Sequence, residues 1–280
     1  MSFSVNTNAG AFVALQNLNK TSSRLDSVQG QINTGLKVSS AKDNAAVYAI
    51  AQKLRGDLAG FSAVQSSIDR AISTLDVSIA AAEAVSDLLI EMKEKAVAAK
   101  DPGVSDADRT VLNDDFVQLR EQAKSIVENA EFNGTNAVKD GGDDIVAITD
   151  STGDSTITIT AQSLAFGVPP GAGPNIELSS DATISIVGNA TTAVTEIDNS
   201  ITNLNTVLSE FGAGVKRLEL QKQFTTKLAD SIEVGIGNLV DADMAKTSAE
   251  LQSLQVKQQL GLQALSIANQ APSATLSLFR

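Results

Sequence analysis

Residues 47–96 read VYAIAQKLRGDLAGFSAVQSSIDRAISTLDVSIAAAEAVSDLLIEMKEKA. Taking every seventh residue gives Val47, Leu54, Phe61, Ile68, Leu75, Ala82, Leu89 and Ala96, all apolar. Between them fall Ile50, Leu58, Val64, Ile72, Ile79, Val85 and Met92, so the apolar spacing alternates between three and four. A sustained 3.5-residue period without proline predicts a long helix lying in a coiled-coil seam. At about 1.5 Å per residue this helix spans roughly 75 Å, too long for an ordinary globular domain to wrap. A seam of that length needs an equally long partner. Ile197, Leu204, Phe211, Leu218, Ile232 and Leu239 supply it, on a seven-residue grid broken only by Thr225. Ile201, Leu208, Val215, Ala229 and Ile236 fill the alternate positions.

Working outward from the seam, residues 6–34 form a further helix, with Ala11, Ala14, Leu18, Leu25, Val28 and Ile32 at heptad positions. Phe12 and Leu15 widen its apolar face, and Thr21 is its one polar exception. Gly35 ends it, residues 35–40 form a connector, and Asp43 or Ser40 caps the long helix that follows. Asp101-Pro102-Gly103 closes that helix, and Ser105 with Asp108 resembles a capping box for a return helix. Leu112, Phe116, Leu119, Ala123, Ile126 and Ala130 mark the face of the return helix, and Phe132-Asn133-Gly134 turns out of it. From about 140 to 192 the pattern changes. Thr156–Thr160 alternates with period two, Ile184 and Ile186 repeat the style, and Pro169–Pro174 is a loop, so this is a small β-rich insertion. Helical pattern resumes at Thr191, and Gly235-Ile236-Gly237 is expected to mark a junction. The final helix, 240–268, carries two opposed apolar stripes. One is Val240, Met244, Leu251, Leu262 and Leu265; the other is Ala242, Ala245, Ala249, Val256, Leu260 and Ile267. One partner helix cannot satisfy both, which points to packing against neighbouring subunits.

Composition removes whole classes of function. The chain of 280 residues carries a formal charge of −12 and has a pI near 4.5, whereas binding to phosphate or anionic lipid needs clustered Lys and Arg. No apolar run is long enough to cross a bilayer, and the N-terminus lacks the basic and apolar regions of a Sec signal. There is no Cys and no His, so zinc, haem and His-dependent triad sites cannot be written. No P-loop, G-x-S-x-G or H-E-x-x-H motif occurs. Asp140, Asp143, Asp144, Asp150 and Asp154 lack calcium-loop spacing and read as solvated turns. The N-x-S/T matches at Asn19, Asn133 and Asn189 occur by chance in a chain rich in Asn and Thr. Catalytic, cofactor-binding and metal residues are therefore expected to be absent.

Two segments carry a resemblance. The amino end, SVNTNAGAFVALQNLNKTSSRLDSVQGQINTGLKVSSAKDNAAVYAIAQKLRG, resembles the N-terminal signature of the bacterial flagellins nearly throughout. The carboxyl end, DADMAKTSAELQSLQVKQQLGLQALSIANQAPSATLSLF, resembles their C-terminal signature, and Phe132-Asn133-Gly134 matches the family's turn. The likeness covers about 1–139 and 194–280; the insertion carries none. Asn44 stands where a second acid is common, and Val47-Tyr48 replaces Gly-Leu. The shortness of the insertion, together with the pattern Glu91, Glu94 and Lys95, looks most like alphaproteobacterial flagellins.

The resemblance implies a mainly α fold: a long hairpin of coiled-coil-like helices drawn from both termini, with a small β-rich outer domain. Its expected parts are an inner domain (1–43 with 237–280), a rod (44–139 with 194–236) and the outer domain (140–193). It further implies a non-enzymatic structural subunit of the extracellular flagellar filament. Such a subunit polymerises with itself or with related flagellins into a helical tube used for motility. Export through the flagellar type III apparatus without a cleaved signal, a secretion chaperone, and filament-cap and hook-junction neighbours are implied with it; nucleic acid, membrane and cofactors are not. A hook–filament junction adapter is the alternative from a second class. An enzyme with a catalytic insertion is the third, and the absence of His and the short insertion argue against it.

Named residues follow from these readings. The polymerisation interface is expected at Phe12, Leu15, Leu18, Leu25, Ile32, Leu251, Val256, Leu260, Leu262 and Ile267. The rod seam is expected at Phe61, Ile68, Leu75, Leu89, Leu204, Phe211 and Leu218. In the segment that an animal innate-immune receptor recognises in many flagellins, the usual Arg, Glu, Leu pattern stands here as Glu91, Glu94 and Lys95, which implies weak recognition. Ser151, Thr152, Ser155, Thr156, Ser179 and Ser180 are candidates for O-linked sugars, in an insertion expected to be dispensable for polymerisation.

Overall fold

The computed structural model describes residues 7–167 and 175–277. Among the described residues five helices and one two-stranded ribbon follow in order: α1 (Ala9–Thr34), α2 (Ala45–Lys100), α3 (Asp106–Asn129), β1 (Ile145–Ile148), β2 (Thr156–Ile159), α4 (Val187–Val240) and α5 (Met244–Ser277). The fold is mainly α. By packing, the chain divides into two compact units, Met1–Gly56 with Ser231–Arg280 and Asp57–Asp230. The Pro169–Pro174 stretch predicted as a loop lies outside the described residues.

The Asp57–Asp230 unit is built on the seam. Ile68, Leu75, Ala82, Val85, Leu89, Met92 and Ala96 of α2 are fully buried, as are Ile197, Leu204, Phe211 and Leu218 of α4, and Phe61 is buried with them. The two helices run antiparallel: Lys93 pairs with Asp198 at 2.5 Å, Lys222 with Asp69 at 2.6 Å, and Gln65 Nε2 donates to Thr226 Oγ1. α3 returns along α2 through Phe116, Ala123 and Val127. Its start is fixed by Ser105, which accepts from the Asp108 N–H at 3.2 Å. The Asp108 carboxylate answers the Ser105 hydroxyl, because its side chain is a methylene shorter than the Glu of a full capping box. Arg109, buried, donates to the carbonyls of Ala99, Asp101 and Val104 and so closes the turn between α2 and α3.

The insertion is not a separate body. β1 and β2 pair antiparallel with Ala147 opposite Ile157, and both side chains are buried in the cluster that holds the helix seam. Leu164, Phe166, Ile176, Leu178 and Ile184 join the same cluster. The Ile148 N–H donates to Ser67 Oγ of α2, and Gln221 of α4 reaches the Thr149 carbonyl. Gly60 lies against the ribbon's turn so closely that a Cβ there would meet the Ser151 carbonyl oxygen at 2.6 Å. The segment's side chains thus share the core of the helix seam within the subunit; its dispensability for polymerisation, expected from sequence, is a property of the assembly.

Four expectations need correction. Neither Asp43 nor Ser40 caps α2. Asn44 Oδ1 accepts from the Val47 N–H at 3.2 Å, while the Asp43 carboxylate turns back to the N–H and hydroxyl groups of Ser39 and Ser40. Those bonds hold the Asp43 carboxyl below its usual range. Ile184 and Ile186 form no strand, because the Ile184 N–H is taken by the Asn113 side chain, and α4 begins at Val187 rather than Thr191. α4 also runs through Gly235–Gly237 to Val240. The break falls at 241–243, where the Ala242 N–H donates to the Gly35 carbonyl and Leu36 bridges Asp241. Gly237 instead makes room for the Asp241 carboxylate, which a Cβ would approach to 2.8 Å.

Candidate assembly surface

The second unit joins α1 and α5 with the two connectors. Asn8 caps α1 by accepting from the Ala11 N–H and reaches the Ala268 carbonyl of α5 at 2.6 Å. Farther along, Gln258 donates to Ser22, and Arg24 pairs with Glu250 at 2.8 Å, so the helices are antiparallel. Both members of the Arg24–Glu250 pair keep solvent access, so it contributes orientation more than stability. At the far end Gly35 ends α1 in the left-handed region, φ 71°, and the Lys37 and Val38 N–H groups both donate to the Val240 carbonyl. Val38, Ala51, Ile236 and Val240 form a small apolar cluster there.

Between α1 and α5 the buried line is thin. Leu25, Val28 and Leu254 are buried, with Ile32 and Leu251 packed on them. On α1 the inward line is Ala11, Ala14, Leu18, Thr21, Leu25, Val28 and Ile32, the heptad read from sequence. On α5 it is Thr247, Leu251, Leu254, Gln258, Gly261, Leu265 and Ala268. Sequence reading missed Leu254, although it stands three residues after Leu251 and fourteen after Val240 on the same stripe. Small residues set the spacing, and a Cβ on Gly261 would stand 3.2 Å from Leu18 Cδ1.

The predicted interface residues therefore sort into two groups. Leu18, Leu25, Ile32 and Leu251 face the partner helix of the same chain and are not free to meet another subunit. Phe12, Leu15, Val256, Leu260, Leu262 and Ile267 are exposed; Phe12 retains 65%, Leu260 57% and Ile267 69% of their surface. Ala249, Val256, Leu260 and Ile267 lie two residues out of step with the inward line, about 200° around the helix. α5 thus carries apolar lines on opposite faces. Met244 and Leu262, placed from sequence on the same side as Leu251, are exposed, and Val240 belongs to α4.

The other predicted residues are placed as follows. All seven rod-seam residues, Phe61, Ile68, Leu75, Leu89, Leu204, Phe211 and Leu218, are buried. Glu91 and Glu94 are exposed, whereas Lys95 bonds Asp115 of α3 at 2.9 Å, a contact that raises its pKa. Ser155 and Thr156 are exposed, and Ser151 is half-buried against Gly60. The Thr152 hydroxyl lies between the carboxylates of Asp150 and Asp154, and the Ser179 hydroxyl bonds Asp181 at 2.5 Å; Ser180 is half-buried. Among the described residues no cluster of acidic side chains could hold a metal ion, and no helix is long and apolar enough to cross a membrane.

Comparison with known proteins adds the decisive observation. The profile of the bacterial flagellin N-terminal helical region matches residues 5–140, and that of the C-terminal helical region matches 194–279. The chain belongs to the bacterial flagellin family. It is 44% identical over 277 residues to flagellin FljK of Caulobacter vibrioides, covering 99% of this chain and 98% of that one. It is 34% identical to the flagellin of Brucella melitensis over 288 residues, covering 99% of each. In fold it is similar to a putative flagellar hook-associated protein from Vibrio parahaemolyticus (TM-score 0.60, 16% identity), over 71% of this chain and 100% of that one. The internal stretch between the two matched regions, 141–193, falls within the insertion that the sequence sets apart.

Proposed function

We propose that this flagellin is a structural subunit of the flagellar filament and polymerises through the apolar lines that its terminal helices turn outward. The observation that carries the reading is the exposed line on α5, Val256, Leu260 and Ile267, opposite the line that α1 covers. A monomer has no use for a second apolar face, and contiguous exposed apolar surface marks an interaction site. In that assembly 1–43 with 237–280 form the inner part, 44–139 with 194–236 the rod, and 140–193 the outermost segment. Export without a cleaved signal, a chaperone that shields the α5 line, and cap and hook-junction neighbours complete the reading. The exposed hydroxyls of Ser155 and Thr156 are the best placed of the candidate sugar sites.

Leu260→Asp tests it. In a filament the substitution would bury an unpaired carboxylate, at a cost on the order of 3–5 kcal/mol. In the monomer the side chain is solvated and the cost vanishes. Seeded elongation followed by electron microscopy should stop, with the helical signal of the Asp57–Asp230 unit retained. Filaments of normal length from this variant would remove the α5 line from the interface.

A further inference from the structure

Two exposed helix faces of the Asp57–Asp230 unit are complementary, and neither belongs to the terminal pair. On α4, Arg217, Leu220, Phe224 and Lys227 recur at helical spacing and share one face. Phe224 keeps 60% and Leu220 66% of its surface exposed, and among the described residues Arg217 and Lys227 have no ion partner. The order along this face is cation, apolar, apolar, cation. On α3, Asp108, Val111 and Asp114 likewise share a face, in the order anion, apolar, anion, and Val111 is 63% exposed.

We infer that these two faces dock on each other between copies of the chain. The inference rests on the filament reading and adds a second contact to it. Subunits that each carry a net charge of −12 repel one another, so a contact between them needs local opposite charge. The α4 face is a cationic exception on an acidic chain, and the acidic α3 face matches it in sign, with apolar side chains on both. The two faces cannot meet within one chain. Lys222 pairs with Asp69 of α2, whereas Asp115 pairs with Lys95 of α2. Those levels are 26 residues apart along α2, about 39 Å of helix rise. A patch that meets a different patch on the next copy, offset by that distance, makes a heterologous contact, the type that propagates instead of closing.

The chain contains no cysteine, which allows a direct test. A chain carrying both Leu220→Cys and Val111→Cys, assembled on seeds and oxidised, should give a ladder of covalent multimers. Each single variant should stay monomeric on the same gel, since a disulfide needs Cα atoms within about 7 Å. Independently, Arg217→Glu with Lys227→Glu should slow seeded elongation about tenfold, and adding Asp114→Lys, which leaves the Ser105–Asp108 cap of α3 untouched, should restore about half of the loss. Double-cysteine filaments without a ladder, or charge-reversed chains that elongate like the parent, would overturn the inference and leave the terminal-helix interface standing. Failure of the unaltered chain to elongate on seeds would overturn both.

Discussion

Thr225 offers a prediction whose sign runs against most core substitutions. It occupies the seam position between Leu218 and Ile232 on α4, is 1% exposed, and its hydroxyl has no hydrogen-bond partner. Threonines elsewhere on α4 send that hydroxyl to the carbonyl four residues back, as Thr191, Thr202 and Thr226 do. A buried hydroxyl without a partner costs about 1–3 kcal/mol. Thr225→Val replaces it with a methyl group of similar size, and both residues are β-branched with near-equal helix propensity. The variant should therefore be more stable by about 1–2 kcal/mol. Urea unfolding followed by helical circular dichroism should show a raised midpoint and an unchanged slope. Thr225→Ser keeps the hydroxyl, removes the methyl group, and should lose about 1 kcal/mol. A Thr225→Val chain no more stable than the parent would refute the reasoning, because the hydroxyl would then have a partner in solution, with the Gln221 carbonyl the nearest by sequence.

Other consequences can be checked in the same way. Gly60→Ala should destabilise, since its Cβ would stand 2.6 Å from a backbone oxygen of Ser151, whereas Gly212→Ala, with open space around it, should stabilise by about 0.5–1 kcal/mol. Thermal melting of the two variants should move in opposite directions; parallel shifts would show that the ribbon does not press on α2. Burial and the neighbouring Glu177 carboxylate raise the Glu196 pKa. The folded state then holds this proton more tightly than the unfolded one, so Glu196 lowers stability as pH rises from the ordinary glutamate range through its folded value. Glu196→Gln should remove that slope and stabilise the subunit near neutral pH; an unchanged pH profile would count against the pairing with Glu177.

Sequence reasoning read the seams well and their interruptions badly. A heptad is a property of spacing alone, so Ile68, Leu75, Leu204 and Phe211 were legible without coordinates, as was the α1 line from Ala11 to Ile32. Local hydrogen bonding is not a property of spacing. Asp43 and Asn44 are both good capping residues, and which of them caps depends on Ser39 and Ser40 offering the carboxylate an alternative. Ile184 and Ile186 look like strand because nothing nearby in sequence reveals that Asn113, 71 residues away, takes the Ile184 N–H. Gly237 reads as a helix breaker until the Asp241 carboxylate is seen against it. At the assembly surface, apolar character alone could not separate Leu251, packed against α1, from Leu262, which is exposed. Four of the ten residues expected in the interface line the chain's own seam for that reason.

That division of labour bears on how folding and assembly are coupled. The seam of α2 and α4 buries Phe211, Ile68, Leu75, Leu89 and Met92 completely and is reinforced by α3 and the ribbon, so this unit has a core of its own. The α1–α5 line relies on Leu25, Val28 and Leu254, and its remaining positions are Ala, Thr, Gln and Gly or half-buried aliphatics. Small residues permit close approach but bury little apolar area, and area is what offsets the entropy of ordering two long helices. The aliphatic side chains that would enlarge this core are present, but Val256, Leu260 and Ile267 point away from it. Turning them inward would stabilise the monomer and remove the outward line. The sequence keeps them outward, so in the proposed filament the terminal pair gains apolar burial from neighbours, whereas the Asp57–Asp230 unit already holds a core of its own before any copy docks on it. This is why Leu260→Asp should stop elongation and leave the seam intact.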